Sequence, residues 1–159
     1  MKYIVTFALI LFQLMAFSQT KEDFLTCFEM ITEHDDFQPA FENRSVTGEN
    51  LIIITNNGSR TFNQNEFEKI RNSLTTDDFY DFSEAVKVIQ GNNETVRNLG
   101  IDPLHTLNIG FSGKNDTLFF SLSTVVQDRN LMYNWNYKFV KEDGEWIIIW
   151  KNVKTSRTR

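Results

Sequence analysis

Two histidines, one cysteine and a stripe of aromatic residues near the C-terminus offer the most chemistry in this sequence. His105 precedes Leu107, Ile109 and Phe111 at two-residue spacing, so on a strand it shares their apolar face. An imidazole titrating near neutral pH could act there as a general base. The plainer reading is a histidine at a strand start, bonded to backbone or open to water. His34 is followed by Asp35 and Asp36; a metal site would need partners from distant positions, and a solvated helix end explains the cluster without them. Cys27 shares a helical face with Phe24, Phe28 and Ile31. Its neighbours Glu29, Glu33, Asp35 and Asp36 supply no cation to lower the thiol pKa, so it reads as a small buried apolar residue. One cysteine excludes an internal disulfide and a multi-cysteine metal site.

Tyr133, Trp135 and Tyr137 alternate along one face of a strand, with Leu131 and Phe139. On a concave face their OH and NH groups would orient a ligand between apolar walls. The same stripe also suits a packed core or a dimer interface. Tyr133, Trp135, Tyr137 and His105 form the candidate ligand-contacting set, with His105 the weak catalytic candidate. Asp77, Asp78, Asp81 and Glu84 lack the Asp-x-Asp-x-Asp pattern and the glycine bend of a calcium loop, which leaves a solvated helix face. Ser112, within Gly110-Phe111-Ser112-Gly113-Lys114, fails the nucleophile-elbow spacing at Lys114. No phosphate loop or dinucleotide motif occurs, so no cofactor and no metal are expected.

The elements that must position these residues follow from periodicity. Thr20 and Asp23 have the spacing of a helix cap, and the apolar residues after them predict a helix over 21–34. Leu51-Ile52-Ile53-Ile54 predicts a strand ending at the Asn57-Gly58 turn. Phe67, Ile70 and Leu74 predict a helix over 64–74, and a short third helix starts near Thr76. Val86 and Val88 mark another strand, and 94–103 is a connection. From residue 105 onward, apolar and polar residues alternate through four strands. Their turns fall at Gly113–Asp116, Gln127–Asn130 and Glu142–Gly144, and the last strand covers Glu145–Trp150. The fold class is α+β: N-terminal helices packed on a curved, mainly antiparallel sheet that ends in a four-strand meander.

The chain has 159 residues, which fits one domain, and 41% hydrophobic residues including 15 Phe, enough for a core. The net charge of -5 argues against a nucleic-acid partner. At the N-terminus, Lys2 precedes an uncharged run from Tyr3 to Phe17 that closes on Ala16-Phe17-Ser18. This pattern predicts a signal peptide over 1–18. The run is too short to span a bilayer, and no cysteine follows it directly to carry a lipid, so no stable membrane anchor is expected after cleavage. Removing 1–18 deletes one charge, Lys2, and leaves a net of -6. The expected organisation is a signal peptide, one domain over 19–153, and a flexible basic tail over 154–159. The expected location is outside a bacterial cytoplasm, periplasmic or secreted.

The segment Trp135-Asn-Tyr-Lys-Phe-Val-Lys-Glu-Asp-Gly-Glu-Trp146-Ile-Ile resembles the closing hairpin of the nuclear transport factor 2-like superfamily. It has an aromatic strand, an acid-Gly turn, then Trp and a hydrophobic run. The order of a leading helix and a bent antiparallel sheet is also similar to that cone-shaped fold. The resemblance implies a conical pocket between the concave sheet face and the helices. Members of the superfamily include isomerases, dehydratases, cyclases, ligand binders, immunity proteins and dimers formed through the sheet, so the fold does not set the function. Its isomerases pair a pocket acid with a Tyr donor. No acid here falls on the expected inner face of strands 105–111 or 131–139. The expected function is therefore a binding module, taking a small apolar ligand or a protein partner on the aromatic face. Two alternatives are a pocket isomerase or hydro-lyase with His105 as base and Tyr133 or Tyr137 as donor, and a homodimer formed through the sheet with a structural or interaction role.

Overall fold

The helical and alternating patterns organise around one mixed sheet. A computed structural model describes residues 19–37, 50–55, 64–79, 86–91, 98, 106–126 and 131–157. Its elements are helix α1 (Lys21–Thr32), strand β1 (Asn50–Thr55), helix α2 (Gln64–Ser73), a 3-10 turn (Thr76–Phe79), and strands β2 (Val86–Gly91), β3 (Thr106–Lys114), β4 (Thr117–Val126), β5 (Leu131–Glu142) and β6 (Glu145–Arg157). The strand order is β2-β1-β3-β4-β5-β6. Strands β3 to β6 form the antiparallel meander, whereas β1 runs parallel to both β2 and β3. The β-branched run Ile52–Ile54 suits a strand paired on both edges, between β2 and β3.

Register puts the core on one face. A row runs through Ile54, Ile109, Leu122 and Trp135 on four adjacent strands, and all four are fully buried. The next row joins Phe111, Phe120 and Tyr137. Helix α1 covers these rows: the Phe24 ring lies 4.6 Å from Phe111 and 5.2 Å from Phe120. Cys27 is buried on the same helical face, and burial, then repulsion from Asp23, pushes its thiol pKa well up.

The start of α1 is fixed twice. Thr20 and Asp23 close a capping box: the Thr20 hydroxyl accepts from Asp23 N–H at 3.2 Å and the Asp23 carboxylate accepts from Thr20 N–H at 3.0 Å. The other Asp23 oxygen accepts from Lys141 Nζ and from Trp146 Nε1, both at 2.8 Å. One carboxylate thus ties the helix to the β5–β6 hairpin. That hairpin turns through Asp143 (φ 51°) and Gly144 (φ 90°), two consecutive left-handed residues as a tight two-residue turn demands.

Three boundaries differ from the expectation. Helix α1 ends at Thr32, with Glu33 as its cap. The expected third helix is one 3-10 turn. Strand β6 continues through Arg157, pairing Lys154 with Asn134 and Arg157 with Leu131, so 154–157 of the expected tail belongs to the sheet. A long β5 provides the partner that local sequence could not reveal. The expected signal peptide 1–18, the expected Asn57-Gly58 turn, Asp81, Glu84, the expected connection 94–103, His105, the expected turn 127–130 and residues 158–159 lie outside the described residues. No described helix is long and apolar enough to cross a membrane.

Candidate functional site

The aromatic stripe of β5 faces α1. Trp135 is fully buried; its ring lies 5.0 Å from Phe37 and 5.5 Å from Tyr133, which is half-buried and stacked on it. Trp135 Nε1 donates to the Asp36 carbonyl at 3.0 Å. The chain leaving α1 therefore closes over this tryptophan and satisfies its one polar atom.

Tyr137 is also fully buried, but its hydroxyl finds no hydrogen-bond partner among the described residues. A buried hydroxyl left without any partner costs roughly 1–3 kcal/mol. Burial, then the negative charge of Asp36, pushes the phenol up to about 12. The group stays protonated at neutral pH and can only gain a partner as a neutral OH.

Around this tyrosine the fold assembles groups from both ends of the sequence. The His34 ring lies 5.9 Å from the Tyr137 ring. His34 Nδ1 is 3.4 Å from the Asp36 carboxylate, and His34 Nε2 is 3.3 Å from Lys151 Nζ. Lys151 Nζ is ion-paired with Asp36, and Tyr137 is its cross-strand neighbour. The Lys151 hydrogen bond is the main cause holding the Asp36 pKa below its ordinary value. The sequence placed His34 at a solvated helix end and assigned Lys151 nothing. A 117-residue separation between them leaves no local signal, and only the parity of Lys151 with Val153 along β6 hints at its face.

The opposite face of the same strands is less completely filled. A shallow concavity of about 160 Å³ opens there between Ser112, Phe119, Ser121, Asn136 and Trp150. Trp150 is 48% exposed, and Ile149 beside it is 47% exposed. Ile149 is the extra residue where the β5–β6 register shifts between Lys138 and Phe139; a bulge of this kind re-aims side chains on the bulged strand. Lys138 Nζ stands 5.4 Å from the centre of the Phe119 ring and screens part of that ring. The sequence reading gave Glu145–Trp150 as the last strand and singled out neither Ile149 nor Trp150.

The expected set is thus divided. Tyr133, Trp135 and Tyr137 are brought together on the inner face, and only Tyr133 retains surface there. His105 lies outside the described residues, and the histidine beside Tyr137 is His34. The acidic cluster is represented by Asp77 and Asp78. Asp78 pairs with Lys21 at 2.7 Å and accepts from Thr75 N–H at 2.7 Å, which ties the 3-10 turn to α1. Among the described residues no three His, Cys, Asp or Glu side chains converge as metal ligands. Scans against protein-family models, curated proteins and solved structures each returned no match.

Proposed function

We propose that this chain is an exported binding module whose partner is a protein segment, taken on the outer sheet face around Trp150. One observation carries the reading: Trp150, about half exposed, borders a concavity of about 160 Å³, and the next residue back, Ile149, is equally exposed. Small-molecule sites usually enclose roughly 300–1,000 Å³. The outer concavity falls below that range and better suits one large side chain from a partner. Exposed apolar residues beside a sheet edge also suit a strand added from outside. Export rests on the leader-like residues 1–18. The cone-like shape of the nuclear transport factor 2-like superfamily rests on the closing hairpin and on the element order.

A second reading has its own support. The unpartnered Tyr137 hydroxyl would accept compensation from a small ligand bearing a hydrogen-bond acceptor, placed under His34 and beside Tyr133. This keeps the aromatic face of β5 as a binding wall, although Trp135 is already packed by Phe37.

A displayed library of short extended peptides, combined with native mass spectrometry, separates the two readings. The first expects selected peptides to carry a large apolar anchor and to lose at least about tenfold in affinity, roughly 1.4 kcal/mol, against Trp150→Ser. It expects Tyr137→Phe to bind them unchanged. A retained small molecule that Tyr137→Phe loses and Trp150→Ser keeps would overturn the first reading in favour of the second.

A further inference from the structure

Strand β6 is an edge strand. Its inner neighbour is β5, and no described strand lies along its far side. It is also among the longest elements in the fold, with 13 residues, about 40 Å of extended chain. An exposed edge of that length is a template for another strand unless something blocks it.

The charges along β6 indicate which strand would fit. At one end stand Glu145 and, in the adjoining turn and the end of β5, Asp143 and Glu142, all exposed; at the other stand Lys154 and Arg157, also exposed. Between them Ile147 and Trp150 lie on the outer face, with Ile149 at the bulge, each at least 37% exposed. Opposite ends of one strand therefore carry opposite charge, with an apolar middle. A second copy laid antiparallel sets the acidic end of each chain against the basic end of the other. A parallel copy would stack like against like. Lys151, the remaining cation of the strand, is engaged by Asp36.

We infer that β6 pairs antiparallel with β6 of a second copy of this chain, joining two sheets edge to edge about a two-fold axis. The inference rests on the reading of the outer face as a protein-contact surface and names the partner. Each apolar middle then contributes to one shared patch, and the two charged ends meet twice, as an isologous interface requires.

The test is sedimentation equilibrium of the purified protein with two charge-reversed variants. The acidic-end variant is Glu142→Lys with Glu145→Lys; the basic-end variant is Lys154→Glu with Arg157→Glu. All four positions are exposed, and circular dichroism checks each fold. The wild type is expected to dimerise. Each variant alone is expected to dimerise at least about tenfold more weakly, because like charges now meet at both ends. An equimolar mixture of the two variants is expected to recover the wild-type affinity to within a few-fold, since the mixed pair restores both contacts. Should a variant not fold, hydrogen exchange on the wild type serves instead: β6 amides are expected to gain protection as concentration rises, while β2 amides stay unchanged. A wild type that is monomeric throughout overturns self-pairing. The bulge at Ile149 and the lysines of β6 would then be devices that keep the edge free. Variants that dimerise as well as the wild type, or a mixture no tighter than its components, overturn it equally. Peptide binding that still depends on Trp150 in a monomeric protein would leave the protein-contact reading standing while self-pairing fails.

Discussion

The two faces of β5 and β6 place similar residues under opposite conditions. On the inner face, Trp135 and Trp146 are closed over by α1 and the chain that follows it, and each indole N–H is bonded, to the Asp36 carbonyl and the Asp23 carboxylate. On the outer face, Trp150 has no such cover and stands 48% exposed. The bulge produces part of the difference, because the extra residue Ile149 lies outside the alternation. An aromatic residue on a strand therefore reads as core or contact surface according to what its helix layer can reach, and not according to its type.

The largest expected effect of breaking this comparison is on the inner side. Trp135→Ala should cost about 3–5 kcal/mol in urea unfolding, since it empties a filled site beneath Phe37. Trp150→Ala should change the same measurement by no more than about 0.5 kcal/mol; equal losses at the two positions would remove the distinction between the faces.

Asp23→Ala should cost about 1–3 kcal/mol, because it opens the capping box and leaves Trp146 Nε1 without its acceptor. The pH dependence follows from the same carboxylate. Partial burial raises its pKa, but hydrogen bonds from Lys141, Trp146 and Thr20 and the Lys141 charge outweigh that, so the net shift is downward. A pKa lowered on folding contributes stability that is complete above the unfolded value near 4 and is lost as pH falls through the folded value. Urea midpoints of the wild type should therefore drop on acidification below about pH 4, and Asp23→Asn should flatten the drop. Gly144→Ala should cost about 1 kcal/mol, since alanine enters the left-handed conformation at that turn reluctantly.

Tyr137→Phe sharpens the comparison from within the inner face. Deleting a buried hydroxyl that has no partner should leave the unliganded protein unchanged or more stable by about 1 kcal/mol. A loss of that size would show that the hydroxyl is bonded in solution. Alkaline absorbance titration of the wild type should find one phenol ionising at about 12.

Much of the fold was legible because its signals are local. The Thr20–Asp23 spacing marks the start of α1, and the alternation from Leu107 to Phe139 marks which residues of the meander are buried. The length of β6 was not legible: Lys154, Thr155 and Arg157 look like tail until β5 supplies their partners. The parallel placement of β1 likewise depends on strands far away in the chain. For the site, parity correctly grouped Tyr133, Trp135 and Tyr137, but it could not say that Phe37 and Asp36 would close over them. His34, Asp36 and Lys151 meet through tertiary contacts across more than 100 residues. Trp150 was concealed in a hydrophobic run whose bulge only pairing reveals.

Fluorine NMR of protein labelled with 5-fluorotryptophan follows Trp135, Trp146 and Trp150 together. Resonances are assigned by substitution, exchange of H2O for D2O reports exposure, and dilution reports association. The account predicts a solvent shift at Trp150 and almost none at Trp135. It also predicts that Trp150 responds to protein concentration while Trp135 does not. A solvent-shifted Trp135, or a Trp150 insensitive to both solvent and concentration, would contradict it.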